Sequence, residues 1–326
     1  MNDFEFRLLN DYQRDFPLCA EPFAEIARRL GASADAVMDA YARLQAGGAL
    51  SRIGAVFSVN RVGASTLAAM RVPEGRLDEV AERVSSHAEV NHNYEREHEW
   101  NLWFVATAPD AGRLAAALEA IGHECGLPVM RLPLEEEFHI DLGFDLRDGW
   151  VPARGARPGT APVRLNEHER ALIAALQHGL PIVARPYSEV AARAGVAESE
   201  AIAAIGGWLA DGVIKRFGVV VRHHELGYGA NAMVVWDVPD GEVAHIGRRL
   251  AQSEGVTLCY RRPRVPSRWA YNLFCMIHGR DRDAVLRQVE ALSKRWAIAG
   301  YPHEVLFSRR RFKQRGARYV AETEQL

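Results

Sequence analysis

Much is missing from this 326-residue chain, and each absence narrows what it can be. No run of apolar residues is long enough to cross a bilayer. The first residues, Met1-Asn2-Asp3-Phe4-Glu5-Phe6, lack the basic flank and apolar stretch of a secretory signal. There are only four cysteines, Cys19, Cys125, Cys259 and Cys275, and no C-x-x-C pair. They read as free thiols of a reducing cytoplasm, not as a disulfide frame or a zinc site, and the expected location is cytoplasmic. Net charge is also missing: 40 Lys and Arg against 42 Asp and Glu leave −2, unlike the basic balance of a general nucleic-acid binder. No P-loop occurs, and Gly227-Tyr228-Gly229 is too short to imply nucleotide binding and reads as a turn. What remains is an ordinary soluble composition, 48% hydrophobic and 25% charged, long enough for two or more domains.

The chain does contain a duplication. Pro17, Pro22, Glu25, Gly31, Gly48, Arg52 and Gly54 recur as Pro181, Pro186, Glu189, Gly195, Gly212, Arg216 and Gly218 without a gap. After two inserted residues Val72-Pro73-Glu74-Gly75 recurs as Val238-Pro239-Asp240-Gly241, and Tyr94 as Tyr260 in the same register. Residues 147–162, rich in Pro, Gly and Arg, read as an exposed linker between the halves. The expected domains are therefore 1–62, 63–146, 163–226 and 227–322.

Each half opens with a helical region. Residues 21–30 place Phe23, Ile26, Ala27 and Leu30 on one face, and Pro22 is tolerated in the first turn. Gly31 ends that helix, and Ser33 caps a second one closed by Gly47-Gly48. Helix, glycine turn, helix and a following strand (50–59) make a winged helix-turn-helix, repeated at 185–221. Both halves then read strand, helix, strand, strand, helix, strand, a ferredoxin-like βαββαβ unit. The expected fold class is α+β: two tandem copies of winged helix-turn-helix plus ferredoxin-like domain, packed as a pseudo-dimer.

The most distinctive stretch is 259–279, where four arginines alternate with Tyr260, Trp269 and Tyr271 before an apolar run. Its fainter echo is 93–104: Tyr94 matches Tyr260, Arg96 matches Arg262, and Trp100-Asn101-Leu102 matches Tyr271-Asn272-Leu273. The second loop is longer by five residues. Arginine forks pair bidentately with carboxylates, and aromatic rings offer flat contacts, so the pattern suits a flat ligand with several acids. Groove reading needs Arg, Lys, Asn or Gln on the recognition helix. Residues 34–46 carry only Arg43 and Gln45 of that kind and 198–210 carry none, which argues against DNA as a partner.

The architecture resembles the Lrp/AsnC regulators over nearly all of both halves. A closer resemblance is carried by Arg185-Pro186-Tyr187, 214–220, 259–263, 271–279 and 311–316, which look like one subunit type of siroheme decarboxylase. Residues 138–146, with Asn101-Leu102-Trp103-Phe104, look like the partner subunit. The resemblance implies a fused form of an enzyme that removes carbon dioxide from two acetates of siroheme, giving 12,18-didecarboxysiroheme for heme d1 or alternative heme synthesis. The implied partners are siroheme and its decarboxylated products, with no membrane and with a homo-oligomer open. Alternatives from other classes are a DNA-binding regulator and a non-catalytic tetrapyrrole carrier.

Siroheme is planar, iron-bearing and rich in carboxylates, so its protein must supply cations and flat surface. Arg261, Arg262, Arg264 and Arg268 on one loop, with Arg222 and Lys313, are the expected rim cations. Arg309, Arg310 and Arg311 could add to them, or form ion pairs with Glu135, Glu136 and Glu137. Tyr94, Trp100, Tyr260, Trp269 and Tyr271 are candidate ring contacts, or simply core aromatics. Asn101 and Asn272 would each bind a carboxylate or tie down the hairpin backbone. Loss of carbon dioxide from an arylacetate leaves a carbanion that the macrocycle can delocalise. No separate cofactor is therefore expected, and iron arrives with the substrate. The protein must orient the carboxylate and deliver a proton, a task for histidine near neutral pH. Candidates are His98, His223, His224 and His278 working with Arg96 or Arg262, and His223 or His224 is the candidate iron ligand. The second half, with the extra arginines, is the first choice for the productive site.

Overall fold

The computed structural model describes residues 1–140, 162–221 and 230–320. The chain folds into two compact units that sort the repeat by kind. One holds Met1–Ala64, Arg157–Leu226 and Arg318–Leu326, the two helix-turn-helix regions. The other holds Ser65–Ala156 and Gly227–Ala317, the two ferredoxin-like regions. The expected linker, apart from Pro162, and the expected site residues Arg222, His223 and His224 lie outside the described residues.

Among the described residues of the first unit, each half contributes three helices and one strand. These are α1 (Asp3–Asn10), α2 (Pro22–Leu30), α3 (Ala34–Ala46) and β1 (Leu50–Phe57), then α6 (Glu167–Leu176), α7 (Pro186–Ala194), α8 (Glu198–Ala210) and β7 (Ile214–Val221). Local chemistry sets the ends. Pro22 and Pro186 occupy first-turn positions, Gly31 and Gly195 close α2 and α7 in the left-handed region at φ 67°, and Ser33 accepts the Ala36 N–H. The sequence reading missed α1 and α6. Both start with a capping box, Asn2 with Glu5 and Asn166 with Glu169, a signal readable in the sequence. The expected wings are also modified: β1 and β7 pair antiparallel with each other, Gly54 opposite Gly218, so the two halves share one two-stranded ribbon.

In the second unit the first half supplies β2 (Ala64–Met70, its first residue at the boundary), α4 (Leu77–Ser86), β3 (Val90–Arg96), β4 (Leu102–Ala108), α5 (Ala111–Cys125), β5 (Met130–Pro133) and β6 (Glu136–Ile140). The second half supplies β8 (Ala230–Trp236), α9 (Val243–Ala251), β9 (Val256–Arg261), β10 (Leu273–Gly279), α10 (Arg282–Arg295) and β11 (His303–Gln314). The nine strands make one sheet in the order β5-β2-β4-β3-β11-β8-β10-β9-β6. The final strand of each ferredoxin-like copy serves both copies. β11 pairs β8 of its own half through residues 303–307 and β3 of the other half through 308–314. The first half does the same with a break: β5 pairs its own β2, and β6 pairs β9 of the other half. The single last strand expected for the first half is thus two, joined by Leu134 and Glu135.

One face of this sheet carries helices. In the second half, Trp236, Cys259, Cys275 and Ile277 pack there against Ile246 and Leu250 of α9 and Val285 and Val289 of α10. The opposite face collects residues from both halves. Leu67, Trp100, Trp103, Met130 and Leu132 meet Met233, Val235, Tyr260, Trp269, Phe274, Met276 and Leu306 in a single buried cluster. Alternate residues of a strand point to opposite faces, which is how these apolar strands feed both layers.

Candidate functional site

The inner cluster contains two buried arginines in matching surroundings. Arg96 ends β3, and its N–H donates to the Asn101 carbonyl across the hairpin at 2.8 Å. The Arg262 N–H donates to the Asn272 carbonyl at 3.0 Å. Each guanidinium then reaches into the other half. Arg96 Nη1 donates to the Leu306 carbonyl at 3.0 Å, and Arg262 Nη1 donates to the Leu132 carbonyl. Each lies over the tyrosine two residues before it, Arg96 at 5.8 Å from the Tyr94 ring and Arg262 at 4.5 Å from the Tyr260 ring.

Neither guanidinium forms an ion pair with a carboxylate among the described residues, although both are over 90% buried. The Nε of each is buried without a partner, and Arg96 Nη2 meets only the Met276 sulfur at 3.9 Å. Burial pulls the Arg96 pKa down to about 10, and it lowers that of Arg262 as well. A group at 10 is still cationic at neutral pH. A buried, unpaired charge costs several kcal/mol, so the fold is carrying two donors that it does not itself satisfy.

Around the arginines lies flat apolar surface. The Trp269 ring meets the rings of Trp103 at 5.1 Å, Tyr271 at 5.0 Å and Phe274 at 6.0 Å, and its Nε1 is buried without a partner. Trp100 is buried in the same cluster, and its carbonyl accepts Trp103 Nε1–H at 2.5 Å. Burial pushes the Tyr94 and Tyr260 hydroxyls up and keeps them protonated. Tyr271 is raised too, by burial and by the neighbouring Glu304 carboxylate.

Two histidines belong to this setting. The His98 backbone N–H donates to the Arg96 carbonyl at 3.0 Å, and the His98 ring sits 5.5 Å from that of Trp269. His98 Nδ1 accepts the Trp100 N–H at 3.0 Å, which leaves Nε2 to carry the proton of the neutral ring. Burial lowers its pKa. His278, near the end of β10, is two residues beyond Met276. Burial and then the Arg96 charge depress it to about 4.

Several other expected contacts have different partners. Asn101 and Asn272 are backbone clamps. Asn101 exchanges two hydrogen bonds with Val72 at 2.8 and 2.9 Å, and Asn272 does the same with Val238 at 2.9 and 3.0 Å. Arg264 pairs with Asp237 at 2.5 Å and Asp240 at 2.8 Å, while Arg261 pairs with Glu135 at 2.9 Å and Asp240 at 3.3 Å. Both pin the 261–271 loop. Arg268 is exposed. Lys313 donates to the Ser85 and His87 carbonyls, and so caps the last turn of α4. Arg309 and Arg310 pair across the halves with Glu95, Glu97 and Asp78, not with Glu135–Glu137. Asn101 and Asn272 thus take the second of their two expected roles, tying down the hairpin backbone, while Arg261, Arg264 and Lys313 are engaged by groups of the protein itself. The sequence had also passed over the Leu132 and Leu306 carbonyls, which position the arginines. Backbone acceptors leave no residue-type signal.

Comparison with known proteins places the fold and the family. The AsnC-like ligand binding domain model matches residues 61–139 and 225–313, and the siroheme decarboxylase NirDL-like HTH domain model matches 5–50 and 169–215. A siroheme decarboxylase NirDL subunit of Paracoccus pantotrophus is 46% identical over 97% of this chain and 97% of its own length. The chain belongs to the siroheme decarboxylase family. A family member of Pseudomonas aeruginosa, a NirD subunit, is 52% identical over 45% of this chain and 97% of its own length, so one half here matches a whole separate subunit. The crystal structure of a siroheme decarboxylase NirDL in complex with an iron-uroporphyrin III analogue superposes at a TM-score of 0.72. It is 28% identical and covers 98% of this chain and 94% of that one. The family's chemistry is that of a carboxy-lyase. In the described residues no helix is long and apolar enough to cross a membrane.

Proposed function

We propose that the chain binds siroheme against the inner face of the nine-stranded sheet and converts it to 12,18-didecarboxysiroheme, in heme d1 or alternative heme synthesis. The observation that carries this reading is the pair of buried, carboxylate-free guanidinia, Arg96 and Arg262, beside a floor of aromatic rings. A flat polyacid satisfies both features, and carboxylates pair bidentately with the Nε and Nη2 edge of an arginine. The iron-uroporphyrin analogue bound by the relative is a molecule of that shape and charge.

Arg96 fixes one acetate so that its C–C bond stands across the macrocycle plane. The dry, aromatic surroundings strip water from the carboxylate. The bond pair released with carbon dioxide spreads into the ring system, so neither pyridoxal nor thiamine is required, and iron comes with the substrate. His98 or His278 returns a proton to the methylene carbon. In the free protein both rings are held neutral. Carboxylates arriving on Arg96 cancel the field that depresses His278 and favour its protonation at the moment the proton is needed.

Anaerobic incubation with siroheme and mass analysis of the tetrapyrrole test the reading. Loss of two carbon dioxide units is the expected result. Siroheme bound but unchanged would make the chain a carrier, and absence of binding would return it to the regulators.

A further inference from the structure

Among the described residues the two halves repeat the binding frame but not the histidines beside it. Tyr94, Arg96 and the Leu306 carbonyl have Tyr260, Arg262 and the Leu132 carbonyl as counterparts. The strands β4 and β10 are of equal length and match without a gap from Leu102 and Leu273 onward. In that register His278 corresponds to Thr107. Counting back from the matched asparagines, His98 corresponds to Trp269.

Neither replacement can deliver a proton to a carbanion near neutral pH. An indole N–H is a donor only, and the Thr107 hydroxyl is engaged with Ser65 at 3.1 Å and Asn91 at 3.4 Å. The buried His139 lies opposite Cys259, whose thiol points to the α9 Gly247 carbonyl at 3.4 Å. Directly opposed residues share a face, so His139 belongs to the helix side. Among the described residues of the inner face, His98 and His278 keep company with Arg96, His98 through the Arg96 carbonyl and His278 through the guanidinium's charge and Met276, while a third histidine, His92, stacks on Tyr94 of the same half.

The substrate has a matching property. The acetates that siroheme loses sit on neighbouring pyrroles, one of which is reversed relative to the other. Their substituents run acetate, propionate, propionate, acetate along the rim. A half-turn about the in-plane line between those two rings exchanges the acetates and preserves the pattern.

Resting on the siroheme reading above, we infer that one proton-delivering site, built around Arg96, His98 and His278, serves both acetates in turn. The mono-decarboxylated intermediate leaves, turns over by that half-turn, and rebinds with its second acetate on Arg96. Each round is balanced. The carboxylate departs as carbon dioxide, its bond pair remains on the methylene carbon, and a histidine proton converts that carbon to methyl. The histidine regains its proton from solvent before the next round, and no electrons enter or leave. Arg262, beside which the described residues place a tyrosine and no histidine, holds whichever carboxylate lies across the ring.

A pulse of siroheme followed by an excess of deuterated siroheme tests the order of events. The expected result is unlabelled mono-decarboxylated product free in solution, its second decarboxylation delayed in proportion to the chase. Conversion of the pulse straight to the doubly decarboxylated product, undiluted by the chase, overturns the inference. With His278→Asn, both successive rate constants should fall together by about a hundredfold or more, the range for loss of a general acid, while siroheme still binds. A variant that completes the first loss at the normal rate and stalls at the second shows two separate sites, and unchanged rates for both steps remove the histidine from the site. Thr107→Val should change neither rate. A wild-type chain that releases no carbon dioxide from siroheme defeats the underlying function instead, and is distinguishable from all of these.

Discussion

Arg262 shows most directly how binding and stability oppose each other at single positions. Its guanidinium is buried without a carboxylate, and burial lowers its pKa. Replacing even a paired set of buried charges by apolar side chains of similar volume is often neutral or stabilising by about 1–4 kcal/mol, and an unpaired charge has less attraction to lose. Arg262→Met should therefore raise the midpoint of urea unfolding while weakening siroheme binding at least about tenfold, as expected for loss of a charge-assisted contact. A variant that loses both stability and binding would show the arginine to be structural.

His278 gives a second expectation at this scale. It is held at about 4 in the free protein, chiefly by burial and then by Arg96. Neutralising Arg96 with a ligand carboxylate raises the bound-state pKa above the free one, so binding takes up protons. Affinity should then strengthen as pH falls from neutrality toward 4, and the gain should cease below that value, where the free histidine is already protonated. Calorimetry of siroheme binding in two buffers of different ionisation enthalpy measures the uptake directly. In His278→Asn the uptake should shrink.

At the level of elements, the hairpins that bear the arginines depend on their asparagine clamps. Asn272 is almost fully buried and ties Val238 from both sides. Asn272→Ala leaves a backbone N–H and a carbonyl unpaired, each costing about 1–3 kcal/mol. It should lower stability by a similar amount in denaturant titration and weaken siroheme binding indirectly. The ribbon of the helix-turn-helix unit makes a different demand. A Cβ on Gly218 would stand 2.3 Å from the Tyr12 carbonyl oxygen, where the Val219 N–H already donates at 2.8 Å. Gly218→Ala should destabilise by roughly 1–3 kcal/mol, the usual cost of overpacking, read as a shift in the thermal midpoint.

These elements also show what sequence could and could not reveal. Pro22, Gly31 and Ser33 announce helix ends because capping is local chemistry. The βαββαβ order follows from apolar periodicity, and the duplication is visible as repeated Pro, Gly and Arg. The division of the last strand of the first half into β5 and β6 was not legible, because it is decided by which distant strand each piece pairs with. The arginines split for the same reason. Arg96 and Arg262 look no different in sequence from Arg264, yet Asp237 and Asp240 neutralise only the last. His223 and His224 lie outside the described residues, so their expected role rests on sequence alone.

For the whole molecule, the way the copies interlock sets a condition on assembly. Each half gives its final strand, or part of it, to the other half's sheet. Half a chain would expose the inner face of Trp103, Trp269 and Phe274 to water. Cutting the chain within residues 147–162 and producing both pieces together should yield a co-purifying, active pair. Either piece alone should aggregate or pair with itself, as followed by size-exclusion chromatography. The separate NirD subunit that matches one half shows the division exists in the family.

The break at Leu134 and Glu135 has a consequence for how copies of the chain meet. The strands at the two ends of the sheet, β5 and β6, are only four and five residues long and adjoin in sequence. Short edges make poor templates for adding another strand. The longer borders, β3 and β9, are each already paired with a strand of the other half. A larger assembly is therefore expected to use helix faces and side chains and not strand addition.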